Sequence, residues 1–315
     1  MELIKLLKIM KKHKICIIGD GLSGLIAAKT LGKLNIEIDL ISQKSKSFFL
    51  DNRTTAISPS NYKFISENLF KKKRNPFYEC KKISLYHEKK KDCLFNFMNF
   101  ENSNKGLMYI VENKHLRNAL ISNIKKNKQI KRLKANVEKI DHKKTSIFFK
   151  NKEYFYDMIL LCTGKNKNFV KKLIGKRLIV DNKNETAFTC IINHDFSLTD
   201  SKQFFLKEGP MAILPISDKK FSLIWSMNAN FNKQDINNIK KLILLRLKKI
   251  FPKNSKIRVG MVNKFPIHFT FNRNFFNNNI FAIGESAYNV YPIAGQGFNL
   301  VLRDIEELYK KIQKN

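Results

Sequence analysis

An apolar run at residues 14–18 stops at Gly19-Asp20-Gly21-Leu22-Ser23-Gly24, and apolar residues then recur at helical spacing at Leu25, Ala27, Ala28, Leu31 and Leu34. A second apolar strand follows at residues 36–41. Few folds accommodate a strand, a three-glycine turn and a helix in so short a stretch. Each glycine has a separate mechanical reason. Gly19 makes the tight turn, Gly21 lets the backbone approach a pyrophosphate, and Gly24 lets the helix pack closely on the strand. The pattern predicts a βαβ unit that holds a dinucleotide, with Gly19, Gly21, Ser23 and Gly24 as cofactor-binding residues at the helix start. Such a site normally has an acidic residue ending the second strand, about 20 residues past the turn, to hold the ribose. Ser42 stands there instead and is the expected contact, bonding without charge assistance. Asp39 lies too early in the strand.

The far end of the chain carries a second turn of related design. Residues 280–283 read as a buried strand, followed by Gly284-Glu285-Ser286-Ala287-Tyr288 and then Pro292-Ile293-Ala294-Gly295-Gln296-Gly297-Phe298-Asn299. A helix follows, with Phe298, Leu302, Ile305, Tyr309 and Ile312 on one face. Gly295 and Gly297 permit close approach of a ligand, and the helix start offers N–H groups and the positive end of its dipole. This run resembles the second flavin fingerprint of the single-component FAD-dependent aromatic hydroxylases, Gly-Asp-Ala-Ala-His followed by Pro-x-x-Gly-Gln-Gly-x-Asn. With Arg303-Asp304 included, it is most similar to the ubiquinone-biosynthesis hydroxylases.

Further segments resemble the same hydroxylases in the same order. They are Asp51-Asn52-Arg53-Thr54-Thr55-Ala56-Ile57-Ser58, then Tyr109-Ile110-Val111-Glu112-Asn113 with Leu116-Arg117, then Gly209-Pro210-Met211-Ala212-Ile213-Leu214-Pro215. The resemblance implies an α/β fold, with a Rossmann-like FAD-binding domain and an interleaved β-sheet substrate domain, as in p-hydroxybenzoate hydroxylase. It assigns residues 10–80, 105–180 and 268–315 to the FAD-binding domain, and 81–104 and 181–267 to the substrate domain. It implies non-covalent FAD, reduced by NADH or NADPH, and hydroxylation of the aromatic ring of a polyprenyl-phenol with O2. Arg53, Arg117, Gly284, Glu285, Gly297, Phe298 and Asn299 join the expected cofactor contacts. Pro292, Gly295, Gln296, Leu214 and Pro215 are the expected active-site residues. Asn113 is expected to cap the helix that follows it.

The chain departs from the family pattern at several places. Thr163-Gly164-Lys165-Asn166-Lys167 replaces the family's Ala-Asp-Gly with its following serine and arginine. Glu285 replaces Asp, Ser286 replaces Ala and Tyr288 replaces His. Relatives usually continue with more helices beyond the Arg-Asp helix. Two alternatives therefore stand beside the hydroxylase: a flavin-dependent reductase of isoprenoid double bonds, and a non-catalytic FAD-binding assembly partner.

Composition narrows the remaining classes. Five cysteines at positions 16, 80, 93, 162 and 190, with no Cys-x-x-Cys pair, and six histidines without ligand spacing point away from a metal site or a disulfide framework. The formal net charge is +34, but its lysines are spread along the chain instead of forming one arginine-rich stripe, so nucleic acid is not the expected partner. Anionic lipid is. No run of 18 apolar residues exists, so the expectation is a cytoplasmic protein, peripheral at the inner face of the membrane, that meets a hydrophobic prenylated phenol there or through other ubiquinone-biosynthesis proteins. Met10 is the expected true start.

Overall fold

A computed structural model describes residues 13–42, 53–69, 75–89, 93–164, 170, 178–181, 185–231, 234–291 and 295–314. Met10, Asp51, Asn52, residues 165–167 and Pro292 lie outside the described residues. The predicted βαβ unit forms from β1 (His13–Ile18), α1 (Leu22–Leu31) and β2 (Ile36–Ser42). β1 sits at the centre of a six-stranded sheet. On one side it pairs in parallel with β2, and β2 with β8 (Ile130–Lys134). On the other it pairs in parallel with β12 (Met158–Leu161), which pairs with β22 (Ile280–Ala282). β21 (Phe276–Asn277) closes that edge as an antiparallel hairpin.

Burial on both faces explains why these strands read as unbroken apolar runs. Ile15 and Ile17 pack under α1, α3 (Asn113–Ile124) and α5 (Gln296–Lys314). Cys16 and Ile18 face the opposite way, under the antiparallel meander β9 (Lys139–Asp141), β10 (Ser146–Phe149) and β11 (Lys152–Phe155). The expected face of the last helix holds. Leu302 and Ile305 are buried, with Phe298, Tyr309 and Ile312 packed beside them.

A second, eight-stranded sheet draws its strands from residues 82–101 and 186–266. Along its path run β18 (Ile257–Val259), β14 (Thr186–His194), β17 (Lys220–Met227), β16 (Gly209–Ser217), β15 (Ser201–Leu206), β5 (Lys82–Glu88) and β6 (Leu94–Glu101). β19 (Asn263–Pro266) also pairs with β14. The chain therefore leaves the parallel sheet, builds part of the second, and returns. Two three-stranded sheets sit with these: β3 (Thr54–Ile57), β7 (Met108–Glu112) and β4 (Tyr78–Cys80) in one, and β13 (Leu178–Asp181), β20 (Phe269–Asn272) and β23 (Tyr288–Asn289) in the other.

A further helix is α2 (Pro59–Leu69). One local expectation changes. Asn113 is not the cap of α3: Glu112 takes that position, and the Asn113 Oδ1 accepts a hydrogen bond from Thr55 Oγ1 at 2.6 Å. A tertiary partner on β3 has claimed the side chain that would otherwise cap.

α4 (Ile236–Ile250) is capped by Asp235, which accepts from Asn237 N at 3.1 Å, and lays Ile239, Ile243 and Leu247 against Phe188, Phe221 and Trp225. The same helix carries a buried charge. Arg246 donates to Glu88 Oε1 at 2.6 Å and to both oxygens of Glu208 at 2.7 and 2.9 Å. Arg246→Ala would strand two buried carboxylates, and is expected to lower the unfolding free energy by about 3–5 kcal/mol, measured by urea denaturation.

Candidate functional site

The carboxyl ends of β1, β12 and β22 finish side by side, which is where open parallel sheets bind ligands. Gly19 leaves β1 with φ +113°, and its N–H donates to Ile41 O at 2.9 Å, tying the turn to β2. A Cβ on Gly19 would lie 2.2 Å from Cys162 O, and one on Gly24 would lie 1.9 Å from Gly19 O. Neither position admits any side chain. At Gly21 the situation reverses, because a Cβ there would meet nothing within 4 Å. Its backbone, at φ −69° and ψ 179°, suits any residue. The open side of the turn thus lies at the glycine expected to face a diphosphate, beside the unpaired N–H groups that begin α1.

The C-terminal turn meets this one directly. A Cβ on Gly284 would lie 2.9 Å from Ser23 Oγ and 3.2 Å from Val301 Cγ2, so the turn is wedged between α1 and α5. Three departures from the family pattern come together here. Thr163 Oγ1 and Ser286 Oγ are 3.2 Å apart, one donating to the other, and Glu285 extends toward Gly164. Thr163 and Ser286 are thus a matched pair. The fourth departure, Tyr288, donates its hydroxyl to Asp304 on α5. Burial raises the Asp304 carboxyl above its ordinary range, against the opposing effect of that hydrogen bond.

Asn299 is fully engaged by protein. Its Oδ1 accepts from Ser58 N at 2.9 Å and Asn61 Nδ2 at 2.8 Å, and its Nδ2 donates to Ala56 O and Gly295 O, each at 2.9 Å. The side chain of this expected cofactor contact braces β3 and α2 against the start of α5. Gly295, at φ +66°, is crowded by Ala56 O, 3.0 Å from where its Cβ would stand. Gln296 is exposed at the first position of α5, followed by Gly297, while the Phe298 ring packs into the core.

Arg117 reaches the turn at residues 19–24 through Asp20. Its guanidinium lies 3.1 Å from Asp20 Oδ2, and Arg132 of β8 approaches the same oxygen at 3.5 Å. Arg132 escaped the sequence reading because nothing local marks it. The acid between two glycines was the available signal. Asp39 is committed elsewhere, to Lys14 at 3.1 Å and Tyr156 at 2.9 Å, which leaves Ser42 at the end of β2. Arg53 stacks on Phe265, 5.1 Å from the ring centre, bridging toward the second sheet, where Thr54 Oγ1 also donates to Ser222 Oγ at 2.8 Å.

Leu214 and Pro215 belong to the second sheet. Leu214 is buried in one cluster with Ala56, Cys80 and Ile110, and so reaches the same β3 residue that Gly295 abuts. Pro215 pairs with Phe221 at an irregularity in the ladder. Burial pushes the Cys162 thiol up to about 12, so the cysteine beside the turn is an inert thiol at neutral pH. Two closed glycines, one open glycine, a free helix start and two arginines nearby fit a diphosphate-bearing dinucleotide.

No protein-family model matches the chain. Among solved structures it is similar to PqsL, a probable FAD-dependent monooxygenase from Pseudomonas aeruginosa, with a TM-score of 0.77 and 14% identity over 95% of this chain and 85% of that one. The fold is that of the FAD-dependent monooxygenases. In sequence, parts of the chain are similar to ubiquinone hydroxylases. It is 28% identical over 111 residues to 3-demethoxyubiquinol 3-hydroxylase of Escherichia coli (strain K12), covering 34% of this chain and 27% of that protein. It is 25% identical over 185 residues to the mitochondrial ubiquinone biosynthesis monooxygenase COQ6 of Xenopus tropicalis, covering 47% of this chain and 40% of that protein. The matches thus span well under two thirds of these relatives' own lengths.

The turn of this monooxygenase fold can be tested without any ligand. Gly24→Ala is expected to destabilise by about 3 kcal/mol, because its methyl collides with a backbone carbonyl, while Gly21→Ala stays within about 0.5 kcal/mol of the parent. Paired thermal melts check the contrast.

Proposed function

We propose that this chain is an FAD-dependent monooxygenase that hydroxylates the aromatic ring of a polyprenyl-phenol, using NADH or NADPH and O2. The carrying observation is the junction of the two glycine turns at the strand ends, open at Gly21. The chemistry FAD supplies when bound is transfer of electrons from a nicotinamide to dioxygen and delivery of one oxygen atom to the ring. The chain's own residues bind, orient and shield. Gly19, Gly21, Ser23 and Gly24 receive the diphosphate at the start of α1, and Arg117 and Arg132 offset its charge. Ser42 holds the ribose, and Glu285 accepts from ligand hydroxyls. Gly284, Arg53, Gly297 and Phe298 complete the cofactor side, the last through its backbone. Gly295 and Gln296 border the reacting ring at the dipole end of α5, where negative charge is stabilised. Leu214 and Pro215, with Ala56 and Ile110, form the apolar wall that excludes water.

The substrate's tail favours work at an anionic membrane surface, with the protein peripheral at the inner face of the membrane or assembled with other ubiquinone-biosynthesis proteins. Among the described residues no helix is long and apolar enough to cross a membrane. A second reading, FAD binding without turnover, is favoured by the departures from the hydroxylase pattern at Thr163, Ser286 and Tyr288, whose side chains bond within the protein.

Protein purified without added cofactor is expected to be yellow, to release FAD on denaturation, and to consume O2 with NADH or NADPH only when a prenylated phenol is present. Colourless protein that takes up no FAD would sink the proposal. Bound FAD without phenol-dependent oxygen uptake leaves the second reading. Gly21→Val is expected to fold normally and to lose at least about tenfold in FAD affinity, because its branched side chain would fill the open side of the turn at that position.

A further inference from the structure

β6 carries an unusual sequence for the edge of a sheet: Leu94-Phe95-Asn96-Phe97-Met98-Asn99-Phe100. In a regular strand, alternation would send Phe95 and Phe97 to one face and Met98 and Phe100 to the other. The ladder with β5 is not regular. Met98 pairs with Leu85 and Asn96 with Tyr86, so Phe97 is left as the extra residue of a bulge. The bulge resets the faces. Phe95, Met98 and Phe100 stand opposite His87, Leu85 and Ile83 on one side, while Asn96 and Asn99 share the other and hydrogen-bond each other at 2.8 and 3.1 Å. The Phe97 ring lies 6.0 Å from Phe205, which pairs with His87 on the next strand.

The result is one exposed apolar face. Phe95, Phe97, Met98, Phe100 and Phe205 are each 43–49% exposed. The face is continuous with the interior, because Ile83, opposite Phe100, packs in the cluster that contains Leu214 and Ala56. Lys89 lies over the Phe95 ring with its ammonium 4.1 Å from the ring centre, the amphipathic arrangement of residues that sit between hydrocarbon and headgroups.

We propose that this face of β6, β5 and β15 is where the protein docks on an anionic lipid bilayer, with the phenylalanines entering the interface and lysines meeting the headgroups. The inference rests on the membrane-surface reading above and gives it a location. A second copy of the chain is the poorer occupant. Two molecules of net charge +34 repel, and a bulge on an edge strand hinders edge-to-edge pairing. Lipid offers the opposite charge and an apolar layer together.

Full-length protein would be co-sedimented with vesicles of phosphatidylcholine alone and of phosphatidylcholine with phosphatidylglycerol, at low and high salt. The parent is expected to bind the anionic vesicles and to weaken with salt, as charge is screened over about 8–10 Å. The triple variant Phe95→Ser, Phe97→Ser, Phe100→Ser is expected to lose at least tenfold in partitioning while keeping the parent's melting temperature and flavin content. As a second measurement, Phe97→Trp is expected to shift its emission to the blue on anionic vesicles and to be quenched by brominated lipid. The native Trp225 is fully buried and supplies a constant background. Absence of parent binding to any vesicle overturns the membrane reading itself. Equal binding by the triple variant, or an unquenched Phe97→Trp, overturns this location alone. A parent dimer in sedimentation velocity that the triple variant abolishes assigns the face to a second copy instead.

Discussion

The contact of α1 with the end of β1 is the constraint on which the rest depends. The backbone passes so close there that a Cβ on Gly24 would stand 1.9 Å from Gly19 O. That approach fixes the angle at which α1 leaves the sheet, and so where its N–H groups point. It also sets the space into which the second glycine turn must fit. Gly284 fills that space against Ser23, and α5 packs over both through Val301. A loosening of α1 would therefore disturb both halves of the candidate site.

The departures from the hydroxylase pattern have a physical logic in three dimensions. Thr163 and Ser286 lie 123 positions apart in sequence and share a hydrogen bond, so neither hydroxyl is stranded as the strands converge. Tyr288 reaches Asp304 across the junction of β23 and α5. Asp20, an acid where phosphate is expected, is met by arginines from α3 and β8. These are compensations between elements, and the local sequence shows only one partner of each.

The second sheet contributes a wall and a surface. Leu214 and Ile224 turn inward toward β3 and β7, and farther along the same sheet face the side chains become exposed. One inserted residue in β6 decides which side the phenylalanines take. A period-two reading of that strand divides them between faces, as alternation requires of any unbulged strand.

The sequence by itself determined the βαβ start, the glycine turns, the apolar face of the last helix and the interleaved order of two sheets. The first three rest on local rules, glycine at tight turns and apolar periodicity where a face is buried, and the interleaved order on the resemblance to the aromatic hydroxylases. Tertiary structure alone decided what each polar side chain does. Asn113 reads as a cap from its position but belongs to Thr55, and the side chain of Asn299 braces β3 and α2, a role its place in the motif does not announce. Arg132 was illegible because its partner, Asp20, lies in a turn 112 positions away in sequence. A side-chain amide or guanidinium goes to whichever donor or acceptor the fold brings within about 3 Å, and that neighbour is set by packing between distant segments, not by spacing along the chain.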